Sequence, residues 1–135
     1  MPHISFEYSA NLDGDLDMPG FCETLRAAAV ATGVFEPAGI RVRAVRCADY
    51  LIADGHPDNA FIDLSVRLRG GRPLDMRKAA TQAIFDAAEA FLADLFVRRP
   101  FALSMEMRDI DPDLAPKASS IRDHMKRRQD SQAAG

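Results

Sequence analysis

The chain has 135 residues, 47% of them apolar and 27% charged, and a net charge of -3. That is enough for one domain with its own core, and the composition fits neither a disordered nor a membrane class. The excess of acids argues against a general nucleic-acid binder, which concentrates positive charge to neutralise phosphates.

In chain order, Pro2 to Tyr8 alternates with Ile4, Phe6 and Tyr8 on one face, which predicts a strand beginning at the terminus. Asp17 is placed to cap a helix that has Pro19 in its first turn. Phe21, Leu25, Ala28 and Ala29 follow at helical spacing, and Gly33 supplies a stop. A second strand is expected over Ile40 to Cys47, where Arg41 and Arg43 share the face opposite Ile40, Val42 and Ala44. Ile62, Leu64, Val66 and Leu68 then alternate with polar residues, and Gly70-Gly71-Arg72-Pro73 turns the chain into a longer helix. That helix is expected to run to about Phe96, with Ala80, Ile84, Ala87, Phe91, Leu92 and Leu95 as its apolar positions. A last strand covers Phe101 to Arg108. Beyond it the chain turns polar, with Ser119 or Ser120 placed to cap a short helix containing Ile121 and Met125.

Leu16-Asp17-Met18 recurs as Leu74-Asp75-Met76, 58 positions later (74 − 16 = 58). The same offset equates Ile4 with Ile62, Phe6 with Leu64 and Tyr8 with Val66, so the repeat agrees with the hydrophobic phase. The expected fold is α+β: a duplicated β-α-β chain forming a four-stranded sheet, with two helices on one face and a short C-terminal helix. The halves span about residues 2–50 and 60–109 of a single domain, followed by a polar tail over 110–135. The sheet's other face has no helical layer of its own, so association through that face or the sheet edges is expected.

Position 2 carries the chemical interest. Met before a small residue such as Pro is normally removed, and the secondary amine of an N-terminal proline is then a base. A free α-amine has a reference pKa of about 7.7 to 8.0. Burial and nearby cations favour its neutral form. Arg41, Arg72 and, in second rank, Arg43 are candidates to hold an anionic substrate, because guanidinium groups grip carboxylates bidentately. Arg46, Arg67 and Arg69 read as solvated surface charges.

Other chemistry finds little support. Asp13, Asp15 and Asp17 have the alternation of a calcium loop, but Met18 and Thr24 stand where glycine and a bidentate glutamate are needed. Helix capping and a solvated loop explain those carboxylates. His3, His56 and His124 are dispersed, so no metal site is expected. Gly70-Gly71-Arg72 lacks the Gly-Lys-Ser/Thr of a phosphate loop, and there is no GxSxG elbow. Cys22 and Cys47 lack CxxC spacing and read as packed filler. No stretch reaches the roughly 20 apolar residues of a membrane span, and the polar start lacks a secretory signal, so a cytoplasmic location is expected.

Several motifs are shared with a known family. Met1-Pro2-His3-Ile4, Glu7-Tyr8-Ser9-Ala10-Asn11 and Thr32-Gly33-Val34-Phe35 running into Ala38-Gly39-Ile40-Arg41 come first. Ala53-Asp54-Gly55, Ala60-Phe61, Gly71-Arg72 and Ile121-Arg122-Asp123-His124 extend them over nearly the whole chain. In these the chain resembles the 5-carboxymethyl-2-hydroxymuconate isomerases of the tautomerase superfamily. The resemblance implies a homotrimer with inward-facing sheets and Pro2 as general base. It also implies that Arg41 and Arg72 bind the substrate's carboxylates and that no cofactor is needed. It departs at Pro73, where the family often has Ser, which bears on the start of the second helix. Two other readings fit the same residues: a different tautomerase activity on another enol or unsaturated acid, and a non-catalytic trimeric protein that binds small acids.

Overall fold

A computed structural model describes residues 2–134. Strand β1 (His3–Ser9) buries Ile4, Phe6 and Tyr8 on the face that the alternation selects. Helix α1 (Met18–Ala31) starts where Asp17 Oδ1 accepts the Gly20 N–H at 3.0 Å, satisfying one of the free donors of the first turn. Gly20 leaves room for this cap, because a Cβ at that position would lie 2.3 Å from Asp17 Oδ2 and displace the capping carboxylate. Thr32 closes the helix through its hydroxyl, which donates to Ala29 O, and Gly33 turns the chain at φ +71°.

Strand β2 (Arg41–Cys47) runs parallel to β1. Strand β3 (Ala60–Arg69) alternates buried and exposed residues, with Ile62, Leu64, Val66 and Leu68 inward. The turn at Gly70 and Gly71, the latter at φ +108°, leads into α2 (Leu74–Phe91). Pro73 stands at the cap of α2 without a side-chain hydrogen bond. Its carbonyl accepts the Arg77 N–H at 3.1 Å, and Asp75 lies in the first turn, where the helix dipole favours a carboxylate. The cap differs in chemistry from a Ser cap, yet the helix begins at the expected turn.

The long second helix is two helices. It ends at Leu92 (φ -95°, ψ 7°), and α3 (Ala93–Arg98) follows as a separate segment. Leu92 and Leu95 on either side of the break are both buried, while Phe96 packs edge-on against Phe101 at 4.9 Å. Within α2 the buried alanine is Ala88, and Ala87 is half-buried. Strand β4 (Phe101–Ile110) runs parallel to β3. The tail helix α4 (Ile121–Ala134) has 14 residues, as many as α1; its start is fixed by Ser119 Oγ, which accepts the Ile121 N–H at 3.1 Å.

The sheet order is β2-β1-β3-β4, with β1 and β3 antiparallel at the centre. Phe6 and Leu64, which the 58-residue offset equates, are direct partners in that central register. The duplication is thus a pseudo-two-fold axis passing between them. Their side chains lie in the core under α1, where Phe6 meets Phe21 edge-on at 4.9 Å. Burying each of these rings stabilises the fold by about 1.5–3 kcal/mol. The opposite sheet face is polar. Ser5, Glu7, Asp63, Ser65, Glu106 and Arg108 stand on it, and no helix packs over it among the described residues.

Candidate active site

Register decides which end of the sheet gathers charge. The antiparallel centre brings the start of β1 and β2 to the same end as the finish of β3 and β4. Arg41, His3, Arg67 and Arg108 therefore form one cross-strand row on the polar face. Arg43 lies one row further in, beside Ser5.

Pro2 is buried, and its carbonyl accepts the Arg41 N–H at 3.1 Å, so the start of the chain is tied to the first residue of β2. Met1 lies outside the described residues. His3 lines a cleft of about 340 Å³ with Arg67, Arg69 and Ile110, which the segment after β4 closes with Pro116 and Lys117. A second cleft, about 430 Å³, is lined by Arg41, Arg69, Arg72, Lys117 and Arg122, with Glu36 and Asp123 as its acids. Arg69 and Lys117 belong to both, so the two clefts adjoin.

The structure brings Arg41 and Arg72 into one cleft. Arg72 is fixed by two backbone carbonyls, Nη1 donating to Arg69 O at 2.8 Å and Nη2 to Val34 O at 3.2 Å. Guanidinium has five N–H donors, so donors remain for a ligand. Arg77 Nε reaches back to the Arg72 carbonyl at 3.2 Å and steadies the turn. Arg41 Nη1 donates to Gly39 O at 3.2 Å. Arg43 and Pro2 line neither cleft; Arg43 instead places Nη1 3.3 Å from His3 Nδ1. An arginine only donates, so His3 must present a lone pair at Nδ1 and carry its proton on Nε2. Burial holds the His3 ring below its ordinary value of 6.5, and the charges of Arg67, Arg43 and Arg41 push it the same way.

Arg67 and Arg69 read as surface charges in the sequence, yet they line the clefts. The signal that finds them is their two-residue spacing on the polar face of β3, combined with the antiparallel return of β3 beside β1. That pairing is not encoded in any local pattern. Lys117 carried no signal, because the tail's composition is merely polar, and Arg122 stood out only within the shared Ile121-Arg122-Asp123-His124 motif, with no role attached to it. Arg46, the third arginine read as surface, pairs with Asp13 at 2.6 Å away from the clefts.

Much of the shared motif is scaffold. Ser9 Oγ donates to Asn11 Oδ1 and accepts the Phe61 N–H, and Asn11 Nδ2 donates to Asn59 O at 2.7 Å. Asp54 Oδ1 in turn accepts from Asn59 Nδ2 at 2.8 Å. These bonds fix the far end of β1 to the loop before β3. Among the described residues no group of three His, Cys, Asp or Glu side chains is placed to hold a metal. No helix of these residues is long and apolar enough to cross a membrane.

Comparison with known proteins gives a consistent result. The family described as 5-carboxymethyl-2-hydroxymuconate isomerase matches residues 2–125. The 5-carboxymethyl-2-hydroxymuconate Delta-isomerase of Escherichia coli is 32% identical over 121 residues, covering 90% of this chain and 96% of that protein. A crystal structure of a 5-carboxymethyl-2-hydroxymuconate delta-isomerase superposes with a TM-score of 0.87 at 31% identity over 93% of each chain. A 5-carboxymethyl-2-hydroxymuconate isomerase from Deinococcus radiodurans R1 gives 0.85 at 28% identity, covering 92% of this chain and 93% of that one. At the level of fold alone, the likeness extends to a fused 4-OT symmetric trimer (TM-score 0.61, 20% identity, 87% and 92% covered). With its duplicated β-α-β sheet and its arginine-lined cleft at the start of β1, the chain belongs to the 5-carboxymethyl-2-hydroxymuconate isomerase family, an isomerase family of tautomerase fold.

Proposed function

We propose that the chain converts 5-carboxymethyl-2-hydroxymuconate to its unsaturated ketone with the amine of Pro2 as base, once Met1 is removed. One observation carries this reading: Arg41 and Arg72 line a single cleft, and Arg41 is hydrogen-bonded through its backbone to Pro2. The amine takes the proton of the 2-hydroxyl group as the electron pair moves through the conjugated diene. It returns the proton at carbon five, leaving a ketone at carbon two and one double bond between carbons three and four. No atom is gained or lost, and no cofactor takes part.

A base for this step must be neutral at working pH. Pro2 is buried, and the cations that lower the His3 ring also surround the start of β1, so both influences disfavour the ammonium form. General-base catalysis of this kind contributes about 10²- to 10⁴-fold. Arg41 and Arg72 hold substrate carboxylates by charge-assisted hydrogen bonds, and the fixed plane of Arg72 orients the enol. Arg43 acts less directly, through its contact with His3.

We assemble the chain as a homotrimer. Among the described residues no helix covers the polar sheet face, and the fused 4-OT symmetric trimer shares the fold. Its cellular setting is the cytoplasm and its pathway the bacterial catabolism of homoprotocatechuate.

The test is the decay of the dienol absorbance for processed protein, verified by intact mass, against Pro2→Ala, Arg41→Ala and Arg72→Ala. Pro2→Ala is expected to lower kcat by about 10²-fold or more. Each arginine variant should lower kcat/KM by about 10- to 100-fold, as for a lost charged hydrogen bond. A folded Pro2→Ala protein of undiminished rate would remove the base assignment. Light scattering should return three times the chain's 14.8 kDa.

A further inference from the structure

The substrate proposed above carries three carboxylates, and Arg41 with Arg72 accounts for two. Arg26, Arg46, Arg77, Arg98, Arg99, Arg108 and Arg122 are each paired with an Asp or Glu of the chain, while others, Arg43 and Arg67 among them, form no ion pair among the described residues. Arg69 and Lys117 have no ion-pair partner among the described residues, although both stand where the two clefts meet. They approach from different elements. Arg69 is the last residue of β3, and Lys117 lies on the segment that joins β4 to α4.

Placing uncompensated cations around one space costs free energy through mutual repulsion, and an anion bound between them relieves it. The acids of the second cleft do not do so. Glu36 is held by Arg122 at 2.7 Å, and Asp123 forms no ion pair with either cation. Arg69 is also coupled to the carboxylate site, because its carbonyl accepts Arg72 Nη1 at 2.8 Å. Both residues line the second cleft, so a group bound by the Arg69 side chain shares that cleft with whatever Arg72 holds.

We infer that Arg69 and Lys117 form a third carboxylate-binding group at the junction of the two clefts, making the site selective for tricarboxylate over dicarboxylate ligands. The inference rests on the function proposed above for its substrate, though not for the existence of the binding group. Arg69 and Lys117 act as specificity-determining residues, closing on the carboxymethyl arm from the strand side and from the tail side. The strand supplies a planar fork and the tail a compact point charge.

The experiment compares the chain with the Arg69→Gln/Lys117→Gln double variant in two assays. In turnover, the readout is the ratio of kcat/KM for 5-carboxymethyl-2-hydroxymuconate to that for 2-hydroxymuconate, which lacks the third carboxylate. The double variant is expected to lower this ratio about tenfold or more. In binding, calorimetry measures propane-1,2,3-tricarboxylate against glutarate, neither of which can be turned over, and the preference for the former should collapse in the variant. Arg69→Lys with Lys117 intact should recover part of it. Thermal melts establish that the exposed substitutions leave the fold intact. An unchanged ratio and an unchanged binding preference would overturn the inference. A chain that turns over neither enol but still shows an Arg69- and Lys117-dependent preference for the tricarboxylate would overturn the proposed reaction and uphold the binding group.

Discussion

His3 has cationic neighbours on both sides, Arg41 on β2 and Arg67 on β3, and Arg43 donates toward its Nδ1. Because its native pKa is lowered, first by burial and then by these charges, the unfolded chain binds the proton more readily. His3 therefore costs the fold stability as pH falls through 6.5 toward the native value. An NMR titration should place the His3 midpoint below 6.5, and Arg67→Ala should move it upward. A midpoint at or above 6.5 would remove the cationic field invoked for the neighbouring amine. The shared face of Arg41 and Arg43 was legible in the sequence because strand alternation is local. Their separation was not, since which arginine lines the cleft depends on the turn at Pro37–Gly39 and on the tail that covers it.

Helix starts were legible because they are chemical. Asp17 caps α1, as its position before Pro19 implied. Asp17→Ala is expected to lower stability by about 0.5–2 kcal/mol, measured by urea unfolding, with little change in kcat because the cap lies away from the clefts. The division between α2 and α3 was not legible. Phe91, Leu92 and Leu95 continue an apolar helical pattern across the break, so nothing local in the sequence marks it. Ala88, not Ala87, continues the four-residue spacing of the buried Ala80 and Ile84.

Over the whole molecule, Asp15 joins distant parts of the chain. Its carboxylate takes Arg98 Nη1 at 2.7 Å and Arg99 Nη1 at 3.0 Å, closing the loop before α1 onto the end of α3. These bonds, Arg98's first, hold Asp15 below its ordinary 3.8. The stabilisation is complete above that value and is lost as pH falls through the lowered native one. Asp15→Asn should therefore unfold at lower urea than the parent at roughly pH 6, and the gap should narrow at roughly pH 3. A gap independent of pH would show that packing, not charge, joins these elements. With Asp13 paired to Arg46 and Asp17 in its cap, all three alternating carboxylates have structural partners; the cap was expected, whereas the ion pairs of Asp13 and Asp15 replace the solvated loop that the sequence suggested. The pseudo-two-fold through Phe6 and Leu64 carries a final consequence. It sends Pro2 onto Ala60, whose nitrogen is an internal amide that donates to Pro100 O at 3.0 Å. Symmetric in its backbone, the sheet is one-ended in the chemistry proposed for it: of each pair of β-α-β units only the first can offer a terminal backbone amine at this place, and on that proposal an assembly of these chains would hold half as many reaction centres as it has repeats.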